Sequence, residues 1–308
     1  MTTALIHHED GFKHLMPPGH PERVARLEAL MPALEGKNVT RVEAPFCTPE
    51  DILLCHPQAY VDAINKAAPE EGFVQLDGDT YLSPGTLDCV HRAVGGTIKG
   101  VDMVLGGEAR NAFVAMRPPG HHAETATPMG FCIYGVVAIA AKHALQRHGL
   151  NRVAVVDFDV HHGNGTQDLL WSEARTLFVS SHQSPLWPGS GAPSERGAHD
   201  NVLNIPLAPG TGGALFRQEY EGQVFPALNA FRPELILVSA GFDAHVDDPL
   251  ANLALVEEDF AWVTRKLCEI ASEHCEGRLV SYLEGGYDLD ALAASGAAHL
   301  DELIARNG

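Results

Sequence analysis

Residues 157–166 read Asp-Phe-Asp-Val-His-His-Gly-Asn-Gly-Thr and follow the apolar run Val153–Val156. An Asp-x-His pair at the end of a buried strand offers oxygen and nitrogen ligands to a metal ion. If the two-residue alternation of a strand continues through it, Asp159 and His161 point one way and Phe158 and Val160 the other. Asp243, at the end of the run Leu235–Ser239, is the natural third ligand. Two carboxylates and one imidazole leave positions open for water and substrate, as a catalytic zinc requires. A lone Asp-x-His is more often a loop-capping contact. What weighs against that reading is the company it keeps.

Asp157 falls on the same side as Asp159 by the alternation, where it can orient a histidine or bind a second, hard cation through oxygen. Gly163 and Gly165 let the chain turn sharply after the site, and Thr166 or Asn164 is placed to cap the following helix. His121-His122 follows the rigid Arg117-Pro-Pro-Gly turn. Adjacent imidazoles can serve as a general base and its electrostatic partner, because imidazole titrates near neutrality. Tyr287, after a Gly-Gly pair, can bring a phenol to a substrate oxyanion.

These residues need a scaffold that gathers them. The apolar runs Ala112–Met116, Val153–Val156, Leu177–Ser180, Leu235–Ser239 and Leu279–Leu283 alternate with helix-like stretches at Pro84–Leu105, Cys132–Arg147, Ala214–Phe231, Glu257–His274 and Leu289–Ala305. That order predicts a parallel sheet with helices on both faces, its strands buried on both sides. Ligands of such sheets bind outside the carboxyl ends of the strands, and every run above leads into a polar motif, Ser181-His182 in the case of Leu177–Ser180. No linker or composition break divides the chain, so residues 1–308 are read as one domain. The segments Pro69–Pro84 and Gln183–Asn201 are long Gly/Pro/Ser/Asp-rich loops, a length that tends to be functional.

The formal charge of −19 opposes direct nucleic-acid binding and favours a cationic substrate. The six cysteines show no Cys-x-x-Cys spacing, against a disulfide framework or cysteine-zinc knot. The first ten residues lack an apolar signal core, and Phe131–Ala141 is far short of the roughly 20 residues of a membrane helix. The expectation is a cytoplasmic protein with no membrane partner.

Together, Arg117-Pro-Pro-Gly-His-His-Ala123, Gly130-Phe-Cys132, Asp157 to Thr166, Pro188-Gly-Ser-Gly191, Ser239-Ala-Gly-Phe-Asp243 and Glu284-Gly-Gly-Tyr287 resemble the zinc-dependent histone deacetylase family. The wording is nearest its class II members and their bacterial deacetylase-like and acetylpolyamine amidohydrolase relatives, from His20 to Asp288. The resemblance implies an arginase-like three-layer α/β/α fold around a mostly parallel sheet. It makes Asp159, His161 and Asp243 the zinc ligands, and pairs His121 with Asp157 and His122 with Asn164. Asn164 stands where other members carry Asp, which suits His122 as general base. The resemblance also implies a potassium site of Asp157, Ser180, Ser181 and the backbone of Asp159 and His161. The acyl-lysine tunnel is implied to run between Phe131 and Trp187, with Gly130, Gly285 and Gly286 along it and Leu250 at its rim. Trp187 replaces the more usual Phe. Tyr287, which some poorly active members replace by His, implies an active enzyme.

The implied reaction is hydrolysis of acetyl or other acyl groups from lysine side chains in peptides or proteins. An acetylpolyamine or other small amide is the alternative substrate. Leu250 supplies no acidic gatekeeper, but the loop Glu70–Thr80, with Glu70, Glu71, Asp77 and Asp79, can. A binuclear manganese ureohydrolase is disfavoured because position 163 is Gly rather than Asp. A non-catalytic acyl-lysine binder is disfavoured by the intact ligands, histidines and Tyr287. Iron(II) suits the same ligands as zinc. Homo-oligomerisation is left open.

Overall fold

The buried runs come together as one eight-stranded sheet in a computed structural model that describes residues 2–306; the ends of the expected 1–308 domain, Met1 and residues 307 and 308, lie outside the described residues. The strands are β1 (Thr3–His7), β2 (Thr40–Glu43), β5 (Asn111–Val114), β6 (Val153–Asp157), β7 (Thr176–Gln183), β8 (Val202–Leu207), β9 (Leu235–Ala240) and β10 (Leu279–Leu283). β3 (Val74–Gln75) and β4 (Tyr81–Leu82) form a separate antiparallel hairpin inside the loop 69–84. The order is β2-β1-β5-β10-β9-β6-β7-β8, and all pairings in this sheet are parallel. The helices are α1 (Ala25–Ala33), α2 (Pro49–Ile52), α3 (Gln58–Ala67), α4 (Thr86–Leu105), α5 (Val136–Arg147), α6 (Asn164–Leu170), α7 (Gly213–Glu219), α8 (Phe225–Phe231), α9 (Glu257–His274) and α10 (Leu289–Ala305).

Successive residues of each central strand serve opposite cores. Val153 and Val155 join Ala112, Val114, Leu235 and Leu237 under α4 and α5. Ala154 and Val156 join Phe113, Ile236 and Val238 under α9 and α10. This is why these runs are apolar throughout rather than alternating, and it yields the expected three layers.

Some expectations shift. The stretch expected to be helical from Cys132 begins only at Val136, because residues 129–132 close a bridged turn. The expected helix Ala214–Phe231 is two helices joined by a π-turn at Tyr220–Val224; Pro226, in the first turn of α8, has no N–H to carry the α pattern across. β1, β2 and β8 lie outside the expected runs; β2 (Thr-Arg-Val-Glu) is an exposed edge and β8 contains Pro206.

Register levels the strand ends. Asp157 lies beside both Ser180 and Ser239, and Leu283 beside Ala240. The segments leaving β5, β10, β9 and β6, four neighbouring strands, therefore emerge on one rim.

Candidate metal centre

β6 ends at Asp157, so Asp159 and His161 sit on the loop beyond it rather than on a strand. Their convergence comes from loop hydrogen bonds. The His161 backbone N–H donates to Asp159 Oδ1 (2.9 Å), and the Val160 N–H donates to Asp243 Oδ1 (2.9 Å). His161 Nδ1 then lies 3.2 Å from Asp159 Oδ1 and 3.1 Å from Asp243 Oδ2. Donor atoms of the three residues all fall within 4.8 Å of one another. Gly285 closes the back of the cluster by donating its N–H to Asp159 Oδ2 (2.9 Å); a Cβ there would stand 2.2 Å from Asp243 Oδ2.

Both carboxylates are fully buried. Burial, with the charge of Asp159 beside it, pushes Asp243 up to about 7. Burial opposes a charge on His161, yet its hydrogen bonds to Asp159 and Asp243 raise it to about 10. The trio thus demands a positive charge between its three donor atoms. A divalent cation meets that demand better than one imidazole proton, and a carboxylate–carboxylate–imidazole set suits zinc or iron(II).

Asn164 fixes the protonation of His122. Asn164 Nδ2 donates to Glu124 Oε1 (2.8 Å), a carboxylate that can only accept. Its Oδ1 therefore faces His122 Nδ1 (2.8 Å), so the ring carries its proton on Nδ1 and leaves Nε2 bare. Burial, with His121 and His161 adding to it, holds His122 well below the ordinary imidazole range. His121 is the opposite case. Burial opposes its charge, but Asp159, Asp157 and Glu284 raise it well above that range, and its Nδ1 lies 2.9 Å from Asp157 Oδ2. The two rings are 3.9 Å apart between centroids. Asn164 and Thr166 lie inside α6 and cap nothing; Gly163 occupies the cap position, and the Thr166 N–H donates to the His121 carbonyl.

A cavity of 320 Å³ reaches this cluster at His161 and is lined also by His122, Tyr287, Gly130, Phe131, Leu186, Trp187 and Leu250. His20, Pro21 and Asp79 complete the lining. Phe131 holds a left-handed φ of 69° after Gly130 at 56°, a costly backbone for a bulky residue. It turns the ring to within 5.8 Å of Tyr287, and a Cβ on Gly130 would meet both His122 and Trp187 at 2.5 Å. Burial pushes the Tyr287 phenol well above its ordinary range, with Asp243 and Asp159 reinforcing the shift against Arg26, so it keeps its proton.

Residues 20–303 match the family described as the histone deacetylase domain. The chain belongs to the histone deacetylase family. A probable deacetylase of Archaeoglobus fulgidus is 38% identical over 299 residues, covering 94% of this chain and 82% of its own. A histone deacetylase-like amidohydrolase of Pseudomonas aeruginosa is 40% identical over 290 residues, 92% of this chain and 76% of its own. The crystal structure of the HDA15 HD domain aligns with a TM-score of 0.94 at 30% identity, over 99% of this chain and 88% of that one. Membership places this protein among hydrolases of the deacetylase and amidohydrolase class.

Within this deacetylase fold, His161, His122, Tyr287, Gly130, Phe131, Trp187 and Leu250 of the expected set line one cavity, while Asp159, Asp243, His121 and Asn164 stand behind it, joined to it through His161 and His122. Gly285 and Gly286 do not line it. Gly285 backs the carboxylates, and the Gly286 carbonyl accepts from Arg26 Nε (2.6 Å). Ser180 lies beside Asp157, but its hydroxyl meets His182 Nδ1 at 3.0 Å; the Ser181 hydroxyl meets the Tyr220 phenol at 2.8 Å.

Sequence reasoning missed the supports. Glu22, with its carboxylate fully buried, binds Arg117 through both oxygens and Arg26 Nη1 at 3.2 Å. Arg26 in turn binds the Glu284 and Gly286 carbonyls and lies 4.9 Å from the Tyr287 ring centre. Asp248 receives the N–H groups of Leu250 (2.9 Å) and Tyr287 (2.8 Å), tying two of the lining residues together. Glu22 stands in Gly19-His-Pro-Glu-Arg23 and Arg117 in Arg-Pro-Pro, and nothing local in either motif says that the two side chains meet.

Proposed function

We propose that the protein is a zinc-dependent amidohydrolase that removes acetyl groups from lysine side chains or related amines. The observation that carries this reading is His122, its Nδ1 2.8 Å from Asn164 Oδ1, lining the same cavity as His161 of the Asp159–His161–Asp243 cluster. Zinc held by those three residues would polarise the acyl carbonyl and acidify a water molecule. His122 accepts the water proton at Nε2 and His121, charged against Asp157, holds positive potential beside it. Tyr287 donates its phenolic proton in a hydrogen bond to the developing oxyanion. The amine departs with a proton returned from the histidine pair. Asp157, Ser180 and Ser181, with the backbone of Asp159 and His161, are proposed to hold potassium.

Acyl-lysine in a peptide or protein is the proposed substrate, its alkyl chain lying between Phe131 and Trp187. Asp79 at the cavity also favours a cationic partner such as an acetylpolyamine, in line with the acidic loop expected from the sequence. Neither nucleic acid nor membrane is a proposed partner, and a cytoplasmic site of action is proposed; no helix among the described residues is long and apolar enough to cross a membrane. The test compares wild type and Tyr287→Phe on acetyl-lysine peptides and acetylputrescine. Loss of the phenol is expected to lower kcat by about 10²–10³. Near-full turnover by the variant would remove Tyr287 from its assigned role, and the ratio of kcat/KM for the two substrates assigns the substrate class.

A further inference from the structure

Besides the active-site cluster, one other group of donor atoms converges among the described residues: Asp102, His143 and His148, all within 4.8 Å of one another. It lies across the helix pair α4 and α5. Asp102 stands in the last turn of α4, His143 in the last turns of α5, and His148 directly after α5. Both imidazoles aim Nε2 at the same carboxylate oxygen, Asp102 Oδ1, at 2.8 Å and 2.7 Å. The rings are 5.3 Å apart and inclined at 65°, so they approach that oxygen from different directions. His143 is largely buried, whereas the Asp102 and His148 side chains are 43% and 30% exposed.

We propose that Asp102, His143 and His148 form a second divalent-metal site of the zinc type, separate from the active site, which braces the ends of α4 and α5. Two imidazoles and a carboxylate are a borderline donor set that zinc, nickel and copper accept. Three protein ligands leave the outward position for water. Both helices present their C-terminal ends here, and the partial negative charge of each end favours a cation. Tetrahedral bonds of about 2.0–2.1 Å to nitrogen separate donor atoms by roughly 3.3 Å. Asp102 and His148 therefore move outward by a few tenths of an ångström, which their exposure permits. Metal on Nε2 of His143 places the ring proton on Nδ1, which is buried without a partner. The site therefore binds more weakly than the Asp159–His161–Asp243 set and gives up its ion first to a mild chelator.

The test titrates zinc into the protein already carrying its tightly held metal, and compares wild type, H148A, D102N and H161A by calorimetry and metal analysis. Wild type is expected to take up one further equivalent. H148A and D102N should bind it at least about tenfold more weakly, the lower bound for losing even an outer-shell partner. Added zinc should raise the Tm of wild type more than that of either variant. Activity without added zinc should be unchanged in H148A and D102N, and H161A should keep the weaker equivalent while losing the tight one. Uptake in H148A and D102N equal to wild type, or no second equivalent in wild type, overturns the proposal. Loss of the tight ion alone bears on the proposed active site and leaves this one standing.

Discussion

Glu124 never enters the cavity lining, yet it decides what His122 can do. Because its carboxylate accepts from Asn164 Nδ2, the Asn164 oxygen is left for His122 Nδ1. A negative charge at position 164 would stabilise the imidazolium and raise His122 from its depressed value. Asn164→Asp is therefore expected to move the acidic limb of the kcat/KM profile to higher pH, with repulsion from Glu124 adding a loss of stability. An unmoved acidic limb would separate His122 from the titration that controls the rate. Gly285 acts at the same scale through what it lacks. A Cβ there would press on both carboxylates of the cluster, 2.2 Å from Asp243 and 2.6 Å from Asp159. Gly285→Ala is expected to purify with little bound metal and to show a matching loss of activity, read by metal analysis of the purified variant. Full metal content would mean that the loop yields without disturbing the ligands.

At the scale of elements, the site is a set of strand-end segments pinned to one another by buried charge. Glu22, just ahead of α1, binds Arg117 beyond β5, and Arg26 on α1 holds the turn beyond β10 through the Glu284 and Gly286 carbonyls. Burial would raise the Glu22 carboxyl, but the Arg117 charge and hydrogen bonds hold it down at about 2. Glu22→Gln keeps the shape and leaves two buried guanidinium groups without their counter-charge. Breaking a buried pair in this way costs about 3–5 kcal/mol. Urea unfolding should record a loss of that order, with turnover falling as the Tyr287 turn loosens. A loss under about 1 kcal/mol would place the pair with ordinary surface ion pairs.

For the whole molecule, several histidines titrate against burial. His14 and His56 are held neutral down to about 4 and His299 to about 3, in each case by burial, against an ordinary value of 6.5. Below 6.5 the unfolded chain takes up protons that the native chain refuses, so native stability falls with pH until these groups protonate in place. Glu22 extends the decline: its ordinary value is 4.5 and its native value about 2, so its contribution is present above 4.5 and fades towards 2. The histidine contribution to native stability is expected to fall from pH 7 to pH 4.5, opposed over the same range by Asp243 and Glu284, which burial raises to about 7. An NMR titration in which His14, His56 and His299 protonate near 6.5 in the folded chain would remove that contribution.

The sequence by itself determined the central strands and the parallel α/β class, and it singled out Asp159, His161, Asp243, the histidine pair and Tyr287 as candidates. Continuous apolar runs and short polar motifs at their ends are local signals, and a parallel sheet carries those ends to one rim. It did not reveal the exposed edge strand β2, whose burial pattern is too weak to read, nor the break in the helix after Ala214. Asp159 and His161 share a side because loop N–H groups bind carboxylates, a result that strand alternation reached by a different route. Only the tertiary structure decided the orientation of Asn164, the support of Tyr287 by Arg26 and Asp248, and the meeting of Asp102 with His143 and His148. Each of these joins residues far apart in the chain through single hydrogen bonds or ion pairs. Such contacts depend on where packing sets each backbone, and they leave no periodic trace in the sequence.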